Sequence, residues 1–225
     1  MKENISVIIS AHNEEKYIEK TLVRFNKNNV TFELIVVCDS CSDKTSEIVR
    51  KYTSNIYEVN FRNISKVRNF GAEKASGDIL VFSDADTFVS ENCLEEILKV
   101  ISIYDYGCAK WISEHSSFLS KYIVWNTNNY NKKHIGGNFF IKKDIFKKVG
   151  GFNEKMKKGE DTDLGDRLRI MKMKHSFLKN CYIIPSERKY RENGYIYLII
   201  KSGIDGFLYK FFRNYYNKKV AYIKN

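Results

Sequence analysis

The feature that most constrains this chain is the regular alternation of short apolar runs with amphipathic stretches in its first half. Ile5 to Ile9, Phe32 to Val37, Ile56 to Val59 and Ile79 to Phe82 have the length and β-branched content of buried strands. Between them, Glu14 to Asn26 carries Tyr17, Ile18, Leu22 and Phe25 on one helical face. A second helix is expected from a cap at Ser42 or Asp43 to about Tyr52, and a third over Ile64 to Ala75. Glu91 to Ile103 repeats the helical spacing with Leu94, Ile97, Leu98 and Ile101. Strands that alternate with helices predict an α/β fold, a mostly parallel sheet flanked by helices.

The expected strand ends are polar. Ser10 to Glu14, Cys38 to Asp43 and Ser83 to Thr87 follow the first, second and fourth strands. In an open α/β sheet these loops gather on one edge, where ligands bind. The last of them holds two carboxylates one residue apart, Asp84 and Asp86, among small residues. Oxygen ligands of this kind suit Mg²⁺ or Mn²⁺, which take one or two carboxylates and complete their shell with substrate phosphates and water. Alone, such a pair also serves as loop punctuation.

The second half is less regular. Strands are expected at Ala109 to Ser113, after the Gly136-Gly137-Asn138 turn, and from His175 to Ile184 before the single proline, Pro185. Helices are expected over Phe118 to Asn129, over Asp144 to Val149 closed by Gly150-Gly151, and over Glu160 to Met171. No repeat and no Gly-, Ser- or Pro-rich linker divides the 225 residues. Cys38 and Cys41 form a lone C-x-x-C among five scattered cysteines, which fits free thiols in a reducing cytosol better than a zinc or redox site. No secretory leader is visible, and no apolar run approaches the roughly 20 residues of a membrane span. The expectation is a cytoplasmic protein, soluble or peripheral on the inner face of the membrane. The net charge of +11 points to a polyanionic partner or to a Lys-rich composition.

Four blocks resemble the family 2 glycosyltransferases of the GT-A fold. They are Ser6 to Glu15, Val37 to Thr45, Arg68-Asn69-Phe70-Gly71 through Asp86, and Gly150-Gly151-Phe152-Asn153-Glu154 followed by Gly159 to Leu164. Their order and spacing match the family over about residues 5 to 171. Ser10, His12, Cys38 and Ser40 depart from the residues usual at those places, while Asp39, Asp84, Asp86 and Asp161 are retained. The Q-x-x-R-W signature of processive members is missing, which implies single addition. The resemblance implies a UDP- or GDP-sugar donor and a Mn²⁺ or Mg²⁺ cofactor. Ala11, Asn13 and Glu14 would face the nucleoside, with Glu14 accepting from ribose hydroxyls, and Asp39 would accept from the base. Arg68 would pair with a phosphate, or else be a solvated helix charge. Asp86 would ligate the metal, with Asp84 on ribose or metal-bound water and Ala85 between them. Asp161 would act as general base in an inverting transfer. Glu160, Gly136, Gly137 and Asn138 would line the acceptor side.

The domain is expected over 1–187, followed by a basic, aromatic helical extension over 188–225. There Ile200, Ile204, Phe207, Leu208, Phe211 and Tyr215 share one helical face. That pattern fits an anionic membrane interface and a lipid-linked acceptor, or a terminal helix packed on its own domain. A sugar-phosphate nucleotidyltransferase would show a glycine-rich, lysine-bearing loop after the first strand, and Ser10 to Glu15 has none. A nucleic-acid binder would leave the acidic loops without purpose, so no nucleic acid is expected as partner.

Overall fold

The computed structural model describes residues 4–188 except 133, 137, 157 and 158, together with residues 192 and 194. Gly137 and the apolar face expected within 200–215 therefore lie outside the described residues.

The alternation read from the sequence appears as β1 (Ile5–Ala11), α1 (Ile18–Asn26), β2 (Phe32–Asp39), α2 (Thr45–Val49), β3 (Ile56–Val59), α3 (Ile64–Lys74) and β4 (Ile79–Asp84). There follow β5 (Thr87–Val89), α4 (Cys93–Val100), β6 (Tyr106–Trp111), α5 (Phe118–Asn131), β7 (Phe139–Lys142), α6 (Lys143–Lys148), α7 (Glu160–Ile170) and β8 (His175–Pro185). The strands form one sheet in the order β3-β2-β1-β4-β7-β6-β8-β5. The four strands of the first half are parallel, as expected. Beyond β4 the sheet is mixed: β7 runs antiparallel to β4 and β6, β8 runs parallel to β6, and β5 antiparallel to β8.

The apolar runs are continuous because both sheet faces are covered. Successive residues of β1 point to opposite faces. Val7 and Ile9 join Ile18, Leu22, Phe25, Val49 and Leu94 on one side, and Ile8 joins Val67, Ala72, Phe146 and Leu164 on the other. On the second side Phe82 touches three rings, Phe139 at 5.0 Å, Phe146 at 5.3 Å and Phe152 at 5.3 Å between centroids. Truncating such a fully buried ring to alanine costs about 3–5 kcal/mol.

Local chemistry sets several boundaries. The Asn63 side chain caps α3 by accepting from Lys66 N at 3.1 Å, and Ser117 caps α5 by accepting from Ser120 N at 3.1 Å. The chain leaves α6 through Gly150 and Gly151, both at positive φ, whose N–H groups return to the carbonyls of Lys147 and Phe146. α1 begins at Ile18 rather than Glu14, because Asn13 turns at φ 53° and the Glu14 N–H is held by Thr45 Oγ1 at 2.7 Å. α2 stops at Val49, short of Tyr52, and β6 starts at Tyr106, ahead of the expected Ala109. The three-residue β5 sits where the sequence suggests only loop and helix, held by pairing with β8.

Candidate active site

The register of the parallel strands builds the site. Ser10 lies opposite Asp84 and Ala11 opposite Cys38, so β1, β2 and β4 end level with one another. Ala11, Asp39 and Asp84 are the last residues of their strands, and the loops that follow share one edge.

The residues expected from the sequence to face a nucleoside are fixed by the backbone and by one another. Asp39 is buried; its Oδ1 accepts from Phe61 N at 2.7 Å and from Ser40 Oγ at 3.1 Å. His12 Nδ1 sits 2.6 Å from the Asp39 carbonyl oxygen, and Asn13 Oδ1 accepts from Ser42 N at 2.8 Å. These bonds tie the loop after β1 to the loop after β2. Cys41 and Cys38 are free thiols. Their mutual contact draws the Cys41 thiol down to about 7 and, with burial, pushes Cys38 up.

At the centre lies Arg68. It projects from α3, is only 3% exposed, and packs its guanidinium over the Phe152 ring at 5.4 Å. Its Nη2 donates to Asp84 Oδ1 and its Nη1 to Glu160 Oε1, both at 2.8 Å. The alternative of a solvated helix charge is thereby ruled out, and both terminal nitrogens sit on carboxylates. Asn138 completes the grip on Asp84: its Oδ1 accepts from Asp84 N at 3.0 Å and its Nδ2 approaches Oδ2 at 3.4 Å.

Asp161 follows Glu160 in the first turn of α7, behind Gly159 at φ 75°. Its Oδ1 accepts from Thr162 N at 2.7 Å. Burial, reinforced by the Glu160 charge, raises its carboxyl above the ordinary range, and Arg68 only partly offsets this. The resulting carboxylate holds its proton more readily than a surface aspartate and is correspondingly a stronger base.

Asp84, Asp86 and Asn138 form one wall of a cavity of about 170 Å³, with Trp111, Ile123, Val124, Ser186 and Glu187 also lining it. Gly136 lies near this wall, close to the Trp111 ring. The Trp111 indole N–H is buried without a hydrogen-bond partner. Trp111 and α5 supply an apolar side to a cavity whose other side is acidic, a combination that would seat a sugar ring against polar anchors.

Sequence reasoning missed how Arg188 returns to the site, reading it as the start of the basic extension. Its guanidinium donates to both Glu14 oxygens, at 2.8 and 3.1 Å, lies 3.6 Å from Asp86 Oδ2, and stacks 5.0 Å over the Tyr17 ring. It thus ties the segment after β8 to the loops after β1 and β4. The Ser186 N–H donates to the Asp86 carbonyl at 3.1 Å. Pro185 marks the end of the strand in the sequence, but nothing there marks the partner of Arg188.

A divalent ion fits this donor set only in company. Among the described residues no three His, Cys, Asp or Glu side chains gather to hold a metal by themselves. Asp84 is engaged by Arg68 and Asn138, and Asp86 faces the Arg188 guanidinium at 3.6 Å, so either carboxylate would meet a metal by sharing or exchanging these partners. One or two carboxylates with diphosphate oxygens and water is the usual set for Mg²⁺ or Mn²⁺. The residues present fit that arrangement.

Comparison with known proteins agrees with the geometry. The model of the family "Glycosyl transferase family 2" matches residues 6–154. The 4,4'-diaponeurosporenoate glycosyltransferase of Staphylococcus haemolyticus is 32% identical over 147 residues, covering 57% of this chain and 39% of the relative. The chain thus spans about two fifths of that relative's length. Among solved structures, Staphylococcus aureus TarS 1-349 in complex with UDP-GlcNAc superposes with TM-score 0.64 at 23% identity, over 82% of this chain and 59% of TarS 1-349. The mannosyltransferase PcManGT of Pyrobaculum calidifontis in complex with GDP-Man and Mn²⁺ superposes with TM-score 0.68 at 16% identity, over 82% of this chain and 57% of its own. The fold is that of the GT-A glycosyltransferases, and the chain belongs to glycosyl transferase family 2.

Proposed function

We propose that this chain transfers a single sugar, with inversion, from a nucleoside-diphosphate sugar to an acceptor hydroxyl. The observation that carries the reading is the grouping of Asp84, Glu160 and Asp161 around a buried arginine, at the sheet edge where Asp39 also ends its strand and beside a cavity lined by Asp84 and Asp86. Family membership and neighbours solved with UDP-GlcNAc and with GDP-Man support a nucleotide-sugar donor.

Ala11, Asn13 and Asp39 receive the nucleoside, the small Ala11 leaving room for it beside the Asp39 carboxylate. Glu14 accepts from the ribose hydroxyls once Arg188 yields it. Arg68 acts through the protein: it holds Asp84 and Glu160 in place, a positioning role in place of the direct phosphate contact expected from the sequence. Mn²⁺ or Mg²⁺, held by Asp86 with Asp84 nearby, supplies charge neutralisation of the leaving diphosphate when bound.

Asp161 takes the proton from the acceptor hydroxyl. The freed oxygen forms its bond to the anomeric carbon from the face opposite the diphosphate, while the bond from that carbon to the diphosphate oxygen breaks and the nucleoside diphosphate leaves. One base suffices because no covalent enzyme intermediate forms. Asn138, Gly136 and Glu160 border the acceptor side, where the sequence also leads one to expect Gly137. The acceptor is a hydroxyl compound, lipid-linked in the reading that the basic C-terminal segment favours, with the protein peripheral on the cytoplasmic face of the membrane. No helix among the described residues is long and apolar enough to cross one.

A panel of UDP- and GDP-sugars, each with and without Mn²⁺, tests the reading by thermal shift and by release of nucleoside diphosphate. One donor is expected to stabilise the protein, more strongly with metal, and Asp86→Ala is expected to erase the metal increment. No stabilisation by any donor would overturn the proposal.

A further inference from the structure

Helix α5 presents two faces of opposite character. Ser120 and Asn131 are buried, Ile123 and Val124 line the cavity, and Asn128 is pinned to β6 by two bonds to the Trp111 backbone, at 2.8 and 2.9 Å. On the opposite face Phe118, Tyr122 and Trp125 stand in one stripe at spacings of four and three. They are 81%, 43% and 61% exposed, and the Tyr122 and Trp125 rings lie 6.0 Å apart. Lys121, also exposed, adjoins them. A scattered surface aromatic needs no explanation, whereas three aligned on a helix locked in place by its other face form a surface.

We propose that this stripe is a membrane-contact surface that seats an anionic bilayer interface against the wall of the acceptor cavity. Aromatic side chains flanked by lysine are the residues that settle at the level of lipid headgroups. The charge is complementary: residues 189–225 carry eight Lys or Arg against two acids, within a chain of net charge +11. Position agrees as well. Glu187 Oε1 accepts from Ser120 Oγ at 2.5 Å, from Ser113 Oγ at 3.0 Å and from Glu114 N at 3.1 Å. Glu187, two residues before that basic segment in the chain, is thereby tied to the first turn of α5. Size argues against a protein partner. Three partly exposed aromatics offer on the order of 400 Å², about half of what each side of a stable protein interface buries. A small apolar insertion joined to a basic patch is, by contrast, the two-part signal that reversible membrane attachment requires. The stripe and the cavity lie on opposite sides of one helix, about 10 Å across, a distance that a lipid-linked acceptor bridges with its headgroup.

The proposal rests on the lipid-linked acceptor reading for its purpose and is tested without turnover. The full chain is sedimented with vesicles of phosphatidylcholine alone or mixed with phosphatidylglycerol, at low and high salt, with neither donor nor metal present. Binding is expected to the anionic vesicles, to weaken with salt, and to fall about tenfold or more in Phe118→Ser/Tyr122→Ser/Trp125→Ser. In a Trp111→Phe background, brominated lipid is expected to quench Trp125. Equal vesicle binding by wild type and triple variant, or Trp125 left unquenched, would overturn the proposal. Two other results would also overturn it: self-association that the triple variant abolishes, and a Trp125 shielded from acrylamide until residues 195–225 are removed. Because donor and metal are absent, failure of the transferase reading leaves this outcome readable, and the reverse holds.

Discussion

Arg68 Nη2 stands 2.8 Å from Asp84 Oδ1, and the guanidinium that makes this bond is buried and shared with Glu160. The first carboxylate of the Asp84-Ala85-Asp86 loop is therefore balanced by the protein before any ligand arrives. Removing one member of such a buried network leaves an uncompensated charge, and Arg68→Ala is expected to cost about 3–5 kcal/mol. Urea unfolding would show this as a lowered midpoint with little change in slope. An unchanged midpoint would mean that the network contributes nothing to the fold.

Asp161 carries a penalty that the fold retains. Its pKa is raised by burial and by Glu160, so between the unfolded and folded values the native state binds more protons than the unfolded one. Stability from this group is thus lost as pH rises through the folded value. Asp161→Asn removes the penalty and is expected to raise the melting temperature at pH 7. The gain should vanish below the ordinary aspartate range of about 3.9. Melting curves across pH test the sign.

His175 behaves oppositely. Burial beside Tyr106 lowers its pKa to about 4, so the native state resists protonation that the unfolded chain accepts near 6.5. Its stabilisation is complete above the unfolded value and is lost as pH falls toward about 4, by up to about 3 kcal/mol. His175→Phe keeps a ring in place and should flatten this part of the urea-midpoint profile against pH.

Gly151 couples the backbone to the site. It adopts φ +63°, and a Cβ there would stand 2.8 Å from Asn69 Oδ1, the atom that accepts from Phe152 N. Gly151→Ala is expected to destabilise by about 1–3 kcal/mol. It should also loosen Phe152 beneath Arg68. Gly150, at φ +82° with open space around it, should tolerate alanine better, at about 1 kcal/mol. Thermal melts of the two variants should rank them in that order.

Periodicity made the first half of the sheet legible, because strands buried on both faces leave apolar runs that little else produces. The level ends of β1, β2 and β4 followed from that topology, and so did the company of Asp39 and Asp84. What the sequence hid was long-range. A lysine or arginine on a helix reads as a surface charge, and only the fold shows Arg68 enclosed between two carboxylates and a phenyl ring. Arg188 reaches Glu14 across 174 positions, and no local pattern marks that pairing. β5 is too short for a period of two to register, and the α5 wall of the cavity depends on how Asn128 docks on β6.

The most direct test of the central claim is single-turnover transfer by Asp161→Asn beside donor binding by calorimetry, with the cognate nucleotide sugar and Mn²⁺. A general base at Asp161 predicts transfer slowed by about 10²-fold or more, with donor affinity within a few-fold of wild type. Full-rate transfer by Asp161→Asn would contradict the account.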